Sequence, residues 1–319
     1  MTALTLITSV LNAGSYIDDM FASVPKNNRI EHIVIDAGST DGTLEKLKRR
    51  SGIKLIVRPG MPLYEALNEA VGVAVSPYIA LLNADDELPA DAMEVILEEL
   101  AKPGELDILC GEAEAFIDVP EEEAENRRVV RRYCGQELTG LRRAVLIFGA
   151  PIINAKIFRR ELILESGGFD ERFAFAADRE LLLRLILKHH DLKWRCVAKP
   201  FYRYRIHPSS KTLRQTPHRR IEIAQEHGRI ATRFAADKDI DTVTCRLLRA
   251  WATHETAVIA VRGVGAGNYG AAAAAVGQLA LSAPRAVREL ALAARERRNL
   301  SKMSVPSGRN ANDMARASV

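Results

Sequence analysis

The stretch Ala80-Leu81-Leu82-Asn83-Ala84-Asp85-Asp86-Glu87-Leu88-Pro89 sets three consecutive acids directly behind a short apolar run. Carboxylates crowded at the end of a buried strand repel one another and lose hydration, so they call for a counter-charge. A divalent cation bridging a diphosphate would provide it. Mn²⁺ and Mg²⁺ prefer carboxylate, water and phosphate oxygens and are commonly held by one or two carboxylates plus substrate phosphates. The plain alternative is a helix start, where the dipole favours negative charge. A second segment, Ile35-Asp36-Ala37-Gly38-Ser39-Thr40-Asp41-Gly42-Thr43, puts an acid at a strand end before a Gly/Ser turn that opens a helix. A nucleotide fits that geometry: Asp36 can accept from a base imide or a ribose hydroxyl, while Ser39 and the turn amides shape the pocket. A β-turn with an Asx cap is the plain reading.

The elements that must carry these groups alternate through the first hundred residues. Leu4–Val10, Ile30–Asp36, Ile53–Val57 and Tyr78–Leu82 read as buried strands, and Tyr16–Val24, Thr43–Arg50, Leu63–Val75 and Ala90–Leu100 as intervening helices. That order predicts a mostly parallel α/β sheet with right-handed crossovers and a ligand site beyond the carboxyl ends of its strands. Asn12, Asp36 and the Asp85-Asp86 pair each follow a strand and so share one edge. Glu121-Glu122-Glu123 against Arg127-Arg128 reads as an exposed hairpin or loop. Gly167-Gly168-Phe169-Asp170 is a turn before a helix at Asp178–His189. From about His218 the strand signals vanish, giving amphipathic helices with breaks at Gly263–Gly270 and Pro284, and the Ser/Asn/Arg-rich stretch Ser301–Val319 reads as a disordered tail.

Taken together, these motifs resemble family 2 glycosyltransferases of GT-A fold, over about residues 1–215. The matching segments are Thr8-Ser9-Val10-Leu11-Asn12, Asp36–Thr43, Tyr64-Glu65-Ala66-Leu67-Asn68 and Asn83-Ala84-Asp85-Asp86. Ser9 stands where the family usually has Pro, and Asn83 where its D-x-D turn begins, which moves the metal-binding burden to Asp85 with Asp86 in support. The resemblance implies nucleotide contacts from Thr8, Val10, Asn12, Asp36, Ser39, Asn68, Asn83 and Ala84. It also implies a catalytic base in an E-D pair after the Gly-Gly turn. Here the Glu position is Ala177, leaving Asp178 as the base, a residue that would serve equally as the helix N-cap. Finally, Tyr202-Arg203-Tyr204-Arg205-Ile206-His207-Pro208-Ser209-Ser210-Lys211 resembles the family's R-x-H-x-x-S segment. It offers Arg205 and Lys211 to a diphosphate and His207 to the metal or a phosphate oxygen.

The implied architecture is a GT-A domain over 1–215, with a nucleotide-sugar half at 1–100 and an acceptor half at 101–215, then a helical extension over 216–300 and a tail over 301–319. The implied reaction is inverting transfer from a nucleotide-sugar, a UDP-sugar foremost, to a saccharide or lipid-linked saccharide with Mn²⁺ or Mg²⁺. The competing reading is a catalytically silent relative that binds nucleotide or a partner protein. No G-x-G-x-x-G follows a strand, against a dinucleotide oxidoreductase, and Leu11-Asn12-Ala13-Gly14-Ser15 is not a nucleotidyltransferase loop.

Composition bounds the rest. The 319 residues, 47% hydrophobic and 27% charged, suffice for a real core. Cys110, Cys134, Cys196 and Cys245 form no C-x-x-C pair, so they read as scattered core thiols. Residues 201–319 hold 20 Lys and Arg against 9 Asp and Glu, a net of +11, against −7 for residues 1–200. Arg on helices is first a solvated face. No nucleic-acid partner is expected, and peripheral membrane contact or a homo-oligomer through the C-terminal helices are the options for this part. Neither a signal peptide nor a membrane span is evident, which reads as cytoplasmic, with the inner membrane face as the peripheral option.

Overall fold

The computed structural model describes residues 2–119, 127–133, 143–189, 191–207 and 216–301. Its first half follows the predicted alternation: β1 (Leu4–Val10), α1 (Ile17–Ser23), β2 (Ile30–Asp36), α2 (Thr43–Arg49), β3 (Lys54–Val57), α3 (Leu63–Val73), β4 (Tyr78–Leu81) and α4 (Ala92–Ala101). Then come β5 (Ile108–Asp118), β6 (Arg127–Arg132), α5 (Arg143–Phe148), β7 (Lys156–Arg159), α6 (Arg160–Glu165), α7 (Ala177–Lys188) and β8 (Trp194–Arg205). Four helices complete the chain: α8 (Pro217–Ala235), α9 (Thr242–Gly265), α10 (Tyr269–Leu281) and α11 (Ala283–Ser301).

The strands form one sheet in the order β3-β2-β1-β4-β7-β5-β6, with β8 on β5. β1, β2, β3 and β4 run parallel, β7 is antiparallel to both β4 and β5, and β8 is parallel to β5. Because both faces are covered, the central strands bury successive residues on both sides of the sheet. Along β2, Ile33 and Ile35 face one core and Val34 the other. On one side α1, α2 and α4 bury Ile17, Met20, Leu47 and Ile96 against the sheet. On the other, α3, α6 and α7 do so with Ala66, Leu162 and Leu181.

That second core runs without interruption into the C-terminal helices. Ile230 and Phe234 of α8, Leu248 and Trp251 of α9, and Ala293 and Leu300 of α11 belong to the same apolar cluster. The extension is therefore packed onto the sheet domain rather than tethered to it. Within the Ala-rich run, Ala272 and Ala275 are buried. A Cβ at Gly263 would sit 3.0 Å from the Ala272 side chain, so a glycine is what lets α9 and α10 approach there. Pro284 does not break a helix. It is the second residue of α11, where its missing N–H is tolerated, and the break falls at Ser282.

The hairpin expected near residue 120 is present as β5 and β6, with Asp118 opposite Arg127. The acidic run Glu121-Glu122-Glu123, Cys134, Lys211 and residues 302–319 of the expected tail lie outside the described residues. No helix among the described residues is long and apolar enough to cross a membrane.

Candidate functional site

The carboxyl ends of β1, β2 and β4 lie side by side, because β1 pairs with both β2 and β4. The loops that leave these ends interlock. Asn12, in the left-handed region at φ 54°, donates its N–H to Ser39 Oγ (2.9 Å), and its side-chain oxygen accepts from the Thr40 N–H (2.9 Å). A non-glycine residue in that region costs energy, and the two cross-loop bonds hold it there. Gly38 takes φ 97°, and a Cβ on it would come within 3.1 Å of the Pro59 backbone, so this turn also needs glycine.

Asp36 is the centre of this half. Its Oδ1 accepts from the N–H groups of Gly38 and Ser39, both at 2.9 Å. Its Oδ2 is enclosed and has no hydrogen-bond partner among the described residues. A buried acceptor without a donor is costly, so this oxygen is a candidate to receive a donor from a ligand.

The fourth strand delivers the acidic turn, whose members divide. Asp86 is 1% exposed. It accepts from the Tyr202 hydroxyl, from Asn83 Nδ2 at 2.8 Å and from the Arg205 N–H at 2.7 Å. Burial, and then the adjacent Asp85 charge, push its carboxyl up to about 8. Asp86 is thus enclosed by protein donors, and the negative charge turned toward solvent belongs to Asp85. The Asp85 side chain is 36% exposed, and its Oδ2 lies 2.9 Å from His207 Nε2. The Tyr16 ring packs against the imidazole with centroids 4.5 Å apart. Among the described residues no three His, Cys, Asp or Glu side chains group to hold an ion alone. The Asp85–His207 pair is a two-donor arrangement, which suits a cation completed by phosphate oxygens and water.

Several expected contacts sit elsewhere. Thr8 and Val10 point into the core beneath the sheet, at 0% and 1% exposure, and Thr8 Oγ1 bonds His32 Nε2 at 3.0 Å. Their alternation along β1 aims both side chains at α1, away from the strand ends. Asn68 ties down the Gly-Gly turn: its Oδ1 accepts from the Phe169 N–H (2.8 Å), and its Nδ2 donates to Phe169 O (2.9 Å) and Glu171 (2.7 Å). Ala84 is buried, and Asn83 spends its amide on Asp86. Arg205, expected to face a diphosphate, is 2% exposed. Its guanidinium donates to Asp118, to Asp19 (2.8 Å), to Glu87 (2.6 Å) and to the Asp85 carbonyl (3.0 Å). Its role here is to fasten the acidic turn to β8 and α1. Tyr202, which the sequence reading passed over, does similar work at Asp86. Tyr202 and Arg205 project from opposite faces of β8 and are both buried, so no one-sided alternation in the sequence marks them.

Asp178 is the second residue of α7, not its cap. Its Oδ1 accepts from the Arg179 N–H at 2.7 Å, and burial lifts its carboxyl above the ordinary range. The Tyr64 hydroxyl lies against the Ala177 and Asp178 backbone, with its ring stacked on Phe169 at 5.6 Å. The backbone leading into this helix is held from a distance by Glu226, another residue the sequence reading did not single out.

The sequence model of Glycosyl transferase family 2 matches residues 5–165, half of the chain. A chondroitin synthase of Pasteurella multocida is 35% identical over 77 residues, which are 23% of this chain and 8% of that protein. An uncharacterized glycosyltransferase of Mycobacterium tuberculosis is 28% identical over 186 residues, 54% of this chain and 63% of that one. The chain thus spans less than two thirds of the length of these curated relatives. Among solved structures, Staphylococcus aureus TarS 1–349 in complex with UDP-GlcNAc superposes with a TM-score of 0.65 at 16% identity, covering 94% of this chain and 89% of that one. A mannosyltransferase from Pyrobaculum calidifontis in complex with GDP-Man and Mn²⁺ gives 0.55 at 18%, covering 94% and 84%. These likenesses show the GT-A fold, and the family match shows that the chain belongs to Glycosyl transferase family 2.

Proposed function

We propose that the protein transfers a sugar from a UDP-sugar to a saccharide or lipid-linked saccharide hydroxyl, with inversion at the anomeric carbon and with Mn²⁺ or Mg²⁺ at Asp85 and His207. The observation that carries the nucleotide reading is the enclosed, unpartnered Oδ2 of Asp36. A uracil imide N–H is a single donor, and the two amides already on Oδ1 hold the carboxylate in place to receive it. UDP and UDP-GlcNAc bound by a structural neighbour of the same fold support the same choice. A saccharide acceptor is supported by the relatives described as chondroitin synthase and hyaluronan synthase.

In this reading the Asn12–Ser39–Thr40 interlock holds the rim of the base pocket. When bound, the cation offsets charge on the departing diphosphate. Asp178 takes the proton of the acceptor hydroxyl as that oxygen forms its bond to C1, and the bond from C1 to the phosphate oxygen breaks with its electron pair leaving on UDP. A carboxyl raised by burial, as Asp178 is, is a stronger base than a solvated one. Arg205 and Tyr202 keep the acidic turn in register while this happens.

The test is nucleotide release from a panel of UDP-, GDP- and dTDP-sugars with Mn²⁺, with and without oligosaccharide acceptors. Release confined to UDP-sugars and abolished by chelation is the expected outcome. Release from another nucleotide class alone, or release indifferent to chelation, overturns the corresponding part.

A further inference from the structure

The segment from Phe173 to Ala176, which delivers Asp178, has no capping side chain of its own. The N–H groups of Ala174, Phe175 and Ala176 are collected instead by one carboxylate from the helical extension. Glu226 of α8 is 5% exposed. It accepts from Ala174 N–H at its Oε1 (2.7 Å) and from Phe175 and Ala176 N–H at its Oε2 (2.9 Å each). Seven residues on, and so on the same face of α8, Arg233 donates to Asp170 Oδ2 (3.0 Å) and to Glu180. One helix face thus holds both the Gly-Gly turn and the start of α7. From the next helix, Glu255 accepts the Trp251 indole N–H (2.8 Å), and the Arg179 guanidinium lies over that indole at 5.5 Å.

We infer that Glu226 is a positioning residue for the transfer step: the helical extension reaches into the catalytic centre and fixes the backbone that carries Asp178. Charge-assisted bonds to three successive amides set the path of residues 174–176, and a base must stand within hydrogen-bond reach of the proton it removes. Displacement of about 1 Å at such a group costs on the order of 100-fold in rate. The backbone clamp stands on geometry alone; its consequence for turnover rests on the reading of Asp178 as base.

The experiment compares the full-length wild type with Glu226→Gln and Glu226→Ala. Hydrogen–deuterium exchange is followed in peptides spanning residues 172–180, and steady-state UDP release is measured from the UDP-sugar that the wild type uses. Glu226→Gln keeps the side chain's size and one acceptor oxygen, so it preserves the fold should the alanine variant lose it. Expected are at least tenfold faster exchange at residues 174–176 with β1–β4 peptides unchanged, and a kcat lowered tenfold or more with the donor KM within twofold. Unchanged exchange in both variants overturns the clamp, whether or not any donor is turned over. Faster exchange with unchanged kcat overturns the positioning role. A wild type that turns over no donor refutes the transferase reading while the exchange arm still decides the clamp.

Discussion

His207 Nε2 and Asp85 Oδ2 meet at 2.9 Å across 122 residues of chain, one at the end of β8 and the other just past β4. The pair joins the turn after β4 to the end of β8 at the one carboxylate of the acidic turn that faces outward.

If these two groups share a cation, Asp85→Ala removes the metal dependence of UDP binding, and His207→Ala weakens metal affinity by about 10- to 100-fold. Calorimetric titration of each variant with UDP at several Mn²⁺ concentrations reads both effects. Wild-type metal dependence in Asp85→Ala refutes the assignment.

The lone Oδ2 of Asp36 predicts a binding defect rather than a catalytic one. Asp36→Asn keeps an oxygen for the Gly38 and Ser39 amides but presents a donor where the base imide would donate. Affinity for free UDP should fall by about 10- to 100-fold, matching ~1.5–3 kcal/mol for a hydrogen bond to a charged group. Equal affinity in the two proteins would reduce Asp36 to a turn residue.

For Asp178, the direction of its shift sets the pH profile. A base acts unprotonated, so a carboxyl raised by burial loses activity as pH falls through a value above that of an ordinary Asp. The acid limb of kcat/KM should therefore lie above the ordinary Asp value of 3.8. Asp178→Asn should lower kcat by about 10²- to 10⁴-fold with UDP affinity retained. A profile flat to pH 4 with near-normal turnover in the variant moves the role to another carboxylate.

His32, beneath the nucleotide half, makes a separate prediction about stability. Burial, with help from the Arg50 charge, lowers its pKa from 6.5 to about 4. The unfolded chain binds a proton near pH 6.5 that the folded protein refuses until about pH 4. Stability is thus fully present above that window and falls as pH drops through it, by ~1.4 kcal/mol per pH unit from this group. Urea unfolding between pH 4 and 7 should show the loss, and His32→Gln should flatten it.

Much of this was readable beforehand because the first half obeys local rules. β1 and β2 have the predicted bounds, and helix ends differ by one or two residues, since the apolar period alone fixes them. What periodicity does not reveal is direction and distance. Thr8 and Asn68 sit in the right motifs, yet their side chains turn to His32 and Phe169. Asp86 and Arg205 look like ligand groups in sequence because charge is what a sequence displays. Their burial arises only once β8 pairs with β5, and β8, polar and interrupted by Pro200, carries little strand signal. Glu226 gave no local sign at all: an acid within a helix reads as solvated surface until the loop it serves is folded against it.

The reach of Arg205 also orders events in time. Its bonds to Asp19, Glu87 and Asp118 span 186, 118 and 87 residues, so the acidic turn cannot settle while the polypeptide is still emerging and β8 has yet to be synthesised. Until then Glu87 lacks the Arg205 guanidinium and Asp86 the Arg205 N–H, and the entropy of closing so large a loop is unrecovered. Strands β1–β4 can pair early, but the acidic turn they border matures only after β8 has left the ribosome.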